Sequence, residues 1–409
     1  MKKLAVIDLL AHYPPRGGAC VDLFQTFGRL ASKFNVKIFG VSWPGDFPRG
    51  EMTEPPPLSA EIVRPTEAKR ESVVSAVMER VLAWRPDAVF IADGWTLKPW
   101  IITAAAERFP TVVRYYAYET LCPRNNEFWL FDRLCENNAL ADCGRCLKCA
   151  AAYAAVVREK KGGKINPLID EADLADIWRG DYLETVTRSI KAPAELIVYN
   201  SFAAGLLAPL RGDRPAHVIP GGVDLDFFNP AGKRPRSDGL FNVLVFGRMD
   251  DPAKGAVTAV EAGKILSAQI PGFSMTITRA PKESYPWLEE TGWLSQTETA
   301  ARLRNADCAV TPSLWPEAFG MTWAESMASG VPVAASGAAG PAEYIRDGVN
   351  GRLFTPGDAK ALSAVILDIY ENPGRAAAMA AAALEFVRKN LTWDAAAQKT
   401  GAVIEAVLR

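Results

Sequence analysis

Residues 4–42 read LAVIDLLAHYPPRGGACVDLFQTFGRLASKFNVKIFGVS. The apolar run LAVIDLL (4–10) stops at a polar turn that holds the adjacent glycines Gly17 and Gly18. Apolar residues then recur at helical spacing through VDLFQTFGRLASKF (21–34), and VKIFGVS (36–42) is apolar again. Strand, helix and strand in that order predict the βαβ unit of a parallel sheet covered by helices. The glycines let backbone approach a ligand closely at the first βα turn. On their own they fit a plain turn equally well. His12 reads as a structural or capping residue.

The same rhythm continues outward. A short edge strand fits SAEIV (59–63) within the Pro-, Gly- and Glu-rich stretch 44–66, and a helix fits 67–84. RPDAVFIADG (85–94) delivers a strand that ends at Asp93 and Gly94, at the edge where open sheets bind ligands. Helix 99–109, strand 110–119 and the strand, Asn200–Ser201 cap and helix of 195–212 follow. The charged tract AGKRPRSDG (231–239) is a linker, and FNVLVFG (241–247) restarts the pattern. The alanine-rich tail 375–409 is too long for one uninterrupted globular helix, and a break is expected near Asn390–Trp393.

A chain of 409 residues suits two domains. The expected division is 1–215, 216–389 and a closing segment 390–409, with an insertion at 122–165. Residues 1–215 carry 28 Lys plus Arg against 26 Asp plus Glu, and the whole-chain totals of 46 and 47 leave 18 against 21 for the rest. Neither half has the concentrated positive charge of a duplex nucleic-acid binder. The start reads as a buried strand and not as a signal peptide, and no stretch is as long and apolar as a membrane span. A cytoplasmic protein is expected, with a peripheral membrane contact left open by the basic patch REKKGGK (158–164).

Residues 311–357 read TPSLWPEAFGMTWAESMASGVPVAASGAAGPAEYIRDGVNGRLFTPG. A helix is expected to start near Gly320, with Glu317 on the loop before it and Glu325 inside it. The free N–H groups of its first turn suit a diphosphate. The carboxylates repel phosphate and suit hydroxyls, so the expected ligand is part phosphate and part sugar.

Five of seven cysteines fall within 28 residues: Cys122, Cys135, Cys143, Cys146 and Cys149. The spacing permits a structural zinc knuckle. An iron–sulfur cluster, one or two disulfides, and free thiols are the other readings of the same residues.

The stretches GRMDDPAKG, ADCAVTPSLWPEAFGMTWAESMASGVPVAASGAAGPAEYIRDGVNGRLFTPGD and HVIPGGVDLDFF resemble the family 4 retaining glycosyltransferases. The resemblance covers nearly the whole chain and is strongest over 216–357. It implies an α/β architecture of the GT-B type, two Rossmann-like domains facing across a cleft, with the acceptor on the N-terminal domain and the nucleotide sugar on the C-terminal one. The last helix is expected to return to the first domain. By motif, Arg248 and Lys254 would clamp the donor diphosphate and stabilise the leaving nucleotide, as fixed cations do for growing phosphate charge. Glu317 would meet the transferred sugar and Glu325 the ribose hydroxyls. Gly320, Met321 and Thr322 would offer N–H groups to the phosphates, and Gly17 and Gly18 would approach from the first domain.

Three departures from the pattern stand out. Tyr116 or Tyr118 occupies the place of a histidine, Arg279 replaces a glycine after a strand, and Gly221 replaces the asparagine of a Pro-Asn-Gly-Val-Asp turn. The cysteine-rich insertion resembles one in a subset of the family. The implied reaction is retaining transfer from a nucleoside diphosphate sugar, UDP- or GDP-linked, to a hydroxyl of a glycan, a lipid-linked saccharide or another acceptor. Front-face attack would need no metal at the diphosphate. Trp95, Tyr116, Tyr118 and Trp129 are candidates to line the acceptor groove. The rival readings are a GT-B interaction protein without turnover, and a phosphorylase or sugar-nucleotide epimerase of the same fold.

Overall fold

The computed structural model describes residues 1–15, 17–42, 50–67, 69–124, 128, 130, 133–160, 172–233, 239–281 and 284–409. Trp129 and residues 161–164 of the basic patch lie outside them. The chain divides into two units. The first comprises Met1–Phe128, Cys135–Pro220 and Ala396–Arg409, and the second is essentially Gly221–Ala395.

In the first unit, short apolar runs become strands because both of their faces are covered. The strands are β1 (Lys3–Ile7), β2 (Asn35–Val41), β3 (Ser59–Val63), β4 (Ala88–Ile91), β5 (Thr111–Arg114), β6 (Glu195–Val198) and β7 (His217–Val218). They form one sheet in the order β3-β2-β1-β4-β5-β6-β7, with every pairing parallel. All four residues of β4, Ala-Val-Phe-Ile, are buried, as a central parallel strand requires. The edge strand expected in SAEIV is β3.

Helices α1 (Gly18–Leu30), α2 (Arg70–Trp84), α3 (Lys98–Ala106), α4 (Cys143–Lys160), α5 (Tyr182–Lys191) and α6 (Ser201–Arg211) belong to this unit. The Asn200 side chain caps α6 by accepting the Ala203 N–H at 2.8 Å. A buried ion pair, Arg114 Nη2 to Asp22 Oδ2 at 2.8 Å, joins β5 to α1.

The second unit repeats the plan. Strands β8 (Phe241–Val245), β9 (Phe273–Ile277), β10 (Leu288–Glu290), β11 (Cys308–Thr311), β12 (Val333–Ser336) and β13 (Arg352–Phe354) run parallel in the order β10-β9-β8-β11-β12-β13. Its helices are α7 (Ala256–Ser267), α8 (Gln296–Arg304), α9 (Met321–Ala328), α10 (Gly340–Tyr344), α11 (Ala359–Glu371) and α12 (Pro373–Asn390). Phe241, Val243, Val245, Met275, Ile277 and Val310 line one core against α7 and α11. The alanine-rich tail breaks at Leu391–Thr392 before α13 (Trp393–Val407). There Val223 N–H donates to Leu391 O at 2.8 Å, and a Cβ on Gly222 would stand 2.5 Å from Trp393 N. From Ala396 onward the chain counts with the first unit, where Lys33 pairs with Glu405 at 3.3 Å and Gly401 meets Leu30.

The cysteine insertion differs from the expected zinc knuckle. Among the described residues no three His, Cys, Asp or Glu side chains come together as metal ligands. All five of its cysteines are free thiols, so the disulfide reading falls as well. The reason is α4: Cys143, Cys146 and Cys149 lie on one continuous helix and not in a loop. A step of six residues separates Cys143 from Cys149 by about 9 Å along the axis and about 120° around it. Only Cys146 of the three is buried, where it accepts from Asn137 Nδ2 at 3.1 Å, and Cys149 accepts from Arg124 Nη1 at 3.7 Å. Burial first, then the neighbouring thiols, push the Cys146 thiol up to about 12. Among the described residues no helix is long and apolar enough to cross a membrane.

Candidate functional site

In the second sheet the strand order reverses between β8 and β11, and the loops that leave their C-terminal ends form the crevice of an open α/β sheet. The loop after β8 carries Arg248 and Lys254. It closes in a 3₁₀ turn, Pro252–Lys254, whose start is capped by Asp251 Oδ1 accepting the Ala253 N–H at 3.0 Å. Gly255 follows with φ +78°, and any Cβ there would lie 2.0 Å from Pro312 O. Only glycine lets the two loops touch at this point. Leu314 N–H then donates to Ala253 O at 2.7 Å and fastens the loop after β11 to the loop after β8.

That fastening delivers Lys254 to Glu317. The ammonium lies 2.9 and 3.0 Å from the two carboxylate oxygens, and 4.6 Å from the centre of the Trp315 ring. Ser313 Oγ donates to Glu317 Oε2 at 2.7 Å, and the Glu317 carbonyl accepts the Gly340 N–H at 2.8 Å. Both charged side chains are nearly buried, at 14% and 10% exposure. The pair is therefore desolvated enough for its Coulomb attraction to be much stronger than on a surface.

Gly320, with φ +77°, turns the chain from Glu317 into α9, and no side chain caps that helix. Gly320, Met321 and Thr322 therefore stand at a helix start whose N–H groups lack intrahelical partners. Thr322 packs beside Gly247 of the other loop, and its hydroxyl is 3.3 Å from Thr311 Oγ1. Glu325 sits one turn further in and is buried. Burial alone pushes its carboxyl up to about 7, because no cation offsets the loss of water.

Arg248 is more open, with its side chain 56% exposed and paired to Asp251 Oδ2 at 3.0 Å. Arg279 is also exposed, and it turns to Glu290 Oε1 at 3.1 Å at the ends of β9 and β10. Gly17 and Gly18 lie in the first unit at the start of α1, where Gly17 has φ +82° and space around it.

The structure thus gathers Lys254, Glu317 and the start of α9 around one crevice, while Arg279 is engaged in a surface pair. Sequence reasoning missed Gly255, Ser313, Trp315 and Gly340. The adjacency of Gly255 to Lys254 was the one local signal available for them. Ser313 and Gly340 act through contacts that no short spacing encodes.

Residues 288–386 match the family described as Glycosyl transferases group 1. The chain is 30% identical over 205 residues to a glycogen synthase of Mycobacterium tuberculosis, covering 47% of this chain and 49% of that one. It is 31% identical over 203 residues to a phosphatidyl-myo-inositol mannosyltransferase of Mycolicibacterium smegmatis, covering 46% and 51%. The chain spans about half the length of the curated relatives it matches.

Among solved structures, a sucrose-phosphate synthase from Thermosynechococcus elongatus superposes with a TM-score of 0.70 at 18% identity, covering 100% of this chain and 99% of that one. Anabaena HepE in complex with UDP-glucose superposes with a TM-score of 0.67 at 16% identity, covering 99% and 100%. These likenesses show the fold: GT-B, with two Rossmann-like domains.

Proposed function

We propose that this chain is a retaining glycosyltransferase that moves a sugar from a nucleoside diphosphate sugar to an acceptor hydroxyl. The observation that carries the reading is Lys254 held against Glu317 beside the uncapped start of α9, at the reversal of strand order in the second sheet. A diphosphate needs cations and oriented N–H groups, and a sugar needs hydroxyl acceptors. This crevice supplies both. The curated matches named for sugar transfer support the reaction class, and HepE, of the same fold, is solved with UDP-glucose, a donor of the proposed kind.

In this reading residues 216–389 form the donor domain, residues 1–215 the acceptor domain, and 390–409 the closing segment. Lys254 and Arg248 face the diphosphate, with Met321 and Thr322 N–H groups behind it. Glu317 meets the sugar and Glu325 the ribose. As the bond from the anomeric carbon to phosphate oxygen breaks, negative charge grows on the phosphate. Fixed donors stabilise that charge more than they stabilise the ground state. The acceptor oxygen bonds to the anomeric carbon on the face the phosphate leaves, and its proton passes to a phosphate oxygen. No carboxylate pair flanking the bond is needed, and the protein cations do the work of a metal at the diphosphate.

The acceptor is a glycan, a lipid-linked saccharide or another hydroxyl compound, reached in the cytoplasm or at a membrane face. Calorimetry with UDP, GDP, dTDP and ADP tests the donor side. One clear binder, with turnover of its sugar nucleotide, is expected. Binding of none of these, nor of their sugar nucleotides, would reject the reading.

A further inference from the structure

The five cysteines of the insertion take no part in the proposed sugar transfer, and in this structure all are thiols. Cys146 is the centre of the group. It is buried, its sulfur accepts from Asn137 Nδ2 at 3.1 Å, and its backbone N–H donates to Asp142 O at 3.2 Å. Asn137 Nδ2 also donates to Asp142 O at 3.1 Å, and Cys135 Sγ donates to Asn137 O at 3.6 Å. Burial first, then the fields of Cys122, Cys135, Cys143 and Cys149, push the Cys146 thiol up to about 12, so it stays protonated.

Cys149 stands one turn further along α4 and has a different setting. It is half-buried, and Arg124 Nη1 donates to its sulfur at 3.7 Å, with the guanidinium 4.7 Å from the centre of the Tyr153 ring. A partly open thiol beside a fixed positive charge is the setting of reactive cysteines, whereas a thiol sealed in the interior is inert on its own. Cys143 has the opposite neighbour: burial first, then the Asp142 carboxylate, push its thiol up. Three residues of α-helix place the Cα atoms of Cys146 and Cys149 about 5 Å apart, inside the range that a disulfide spans. Their Cβ atoms are about 5–6 Å apart, against about 4 Å in a disulfide. A bond between them therefore tightens one turn of the helix, and strained disulfides are the ones readily reduced again.

We propose that Cys149 and Cys146 form a thiol–disulfide exchange site for a low-molecular-weight disulfide of the glutathione type, with Cys149 attacking and Cys146 resolving. Cys149 loses its proton and attacks one sulfur of the incoming disulfide. That S–S bond breaks, and the departing sulfur takes the electron pair and the proton. Cys146 then attacks the Cys149 sulfur of the mixed disulfide, and its proton leaves with the second small thiol. Two protein thiols are oxidised to one disulfide, and the small disulfide is reduced to two thiols. Exposed Arg145 and Lys148 flank the pair and favour a carboxylated disulfide over a neutral one.

Trypsin separates Cys146 (residues 146–148) from Cys149 (149–158) and from Cys135 and Cys143 (134–145), so a crosslink is read directly from the peptides. The full chain is equilibrated with oxidised glutathione, remaining thiols are alkylated, and the peptides are mapped by mass spectrometry. A link between 146–148 and 149–158 is expected, removed again by excess reduced glutathione. Cys146→Ser should stop at glutathione on Cys149, and Cys149→Ser should leave Cys146 unmodified. Arg124→Gln should slow the link about tenfold, and Arg124→Lys should keep most of the rate. No link with oxidised glutathione, or Cys146 joined to 134–145 in place of 149–158, overturns the site. So does alkylation that first needs a chelator, which would mean that a metal holds the thiols. If Cys146→Ser loses cooperative unfolding, Cys149→Ser, at the half-buried position, decides.

Discussion

Lys254 Nζ bridges both oxygens of Glu317, at 2.9 and 3.0 Å, across 63 residues of sequence. The bridge stores a cation beside the start of α9 and keeps it aimed by a carboxylate that is itself held by Ser313. Under the proposed function, a diphosphate entering this crevice would compete with Glu317 for Lys254, and a sugar hydroxyl would then take the carboxylate's freed lone pairs.

Replacing Lys254 should therefore affect both activity and folding, by different amounts. Lys254→Ala is expected to lower kcat by about 10²–10³, the usual cost of losing one donor to developing charge. It also strands Glu317 with little water, so stability should drop by roughly 1–3 kcal/mol. Adding Glu317→Gln should recover most of the stability and none of the turnover. Urea unfolding and steady-state kinetics on the three variants check this. Full turnover in Lys254→Ala would remove Lys254 from the chemistry.

Arg248 makes the contrasting case because its side chain is open to solvent. Arg248→Ala should reduce kcat/KM about 10- to 100-fold by loss of a phosphate contact. The thermal midpoint should move little, as surface substitutions usually change stability by about 0.5 kcal/mol or less. A shift in melting as large as that of Lys254→Ala would show that Arg248 is structural.

Glu325 makes stability depend on pH. Its folded carboxyl titrates at about 7, against 4.5 for an ordinary glutamate, so between those values the folded chain binds the proton more tightly than the unfolded one. The contribution is fully present below about pH 4.5 and is lost as pH rises through 7, by up to ~3 kcal/mol. Glu325→Gln should be more stable than wild type at pH 8 and should lose that part of the slope. Denaturant unfolding at pH 5 and pH 8 measures it. Identical slopes in the two chains would mean that Glu325 is solvated.

Gly255 is the steric keystone of the two loops. Gly255→Ala places a Cβ 2.0 Å from Pro312 O at a positive φ, and neither loop can yield without releasing Leu314 from Ala253. A loss of about 3 kcal/mol or more is expected, together with weaker nucleotide binding as Lys254 shifts. Gly374→Ala, at the helical start of α12 with open space around it, should be neutral or slightly stabilising. Equal melting of the two variants would refute the contact.

Much of the fold was legible because its central strands are buried on both faces and stand out as unbroken apolar runs, VLV at 243–245 and AVFI at 88–91. The edge strand β3 was harder: Ser59 and Glu61 belong to a strand with one open side and carry a weak pattern. The helix start at Gly320 could be read from the glycine itself. The Lys254–Glu317 bridge could not, since it depends on two loops fastened by a backbone hydrogen bond. The pair that Arg279 makes with Glu290 could not be read either, because the glutamate comes from the neighbouring strand. The cysteines misled by spacing: three-residue steps suit a metal in a loop, and the alanine-rich sequence after Cys149 makes a helix of the same residues.

The hydrogen bond from Val223 to Leu391 and the contact of Gly222 with Trp393 bring the two ends of the second unit to one place. In terms of gene architecture, residues 221–395 are a cassette flanked on both sides by segments of the first unit. A cassette whose ends already meet imposes little loop-closure entropy on its host, and a short linker could replace it. Exchange of this segment between related chains would therefore recombine whatever each unit recognises at two seams lying side by side.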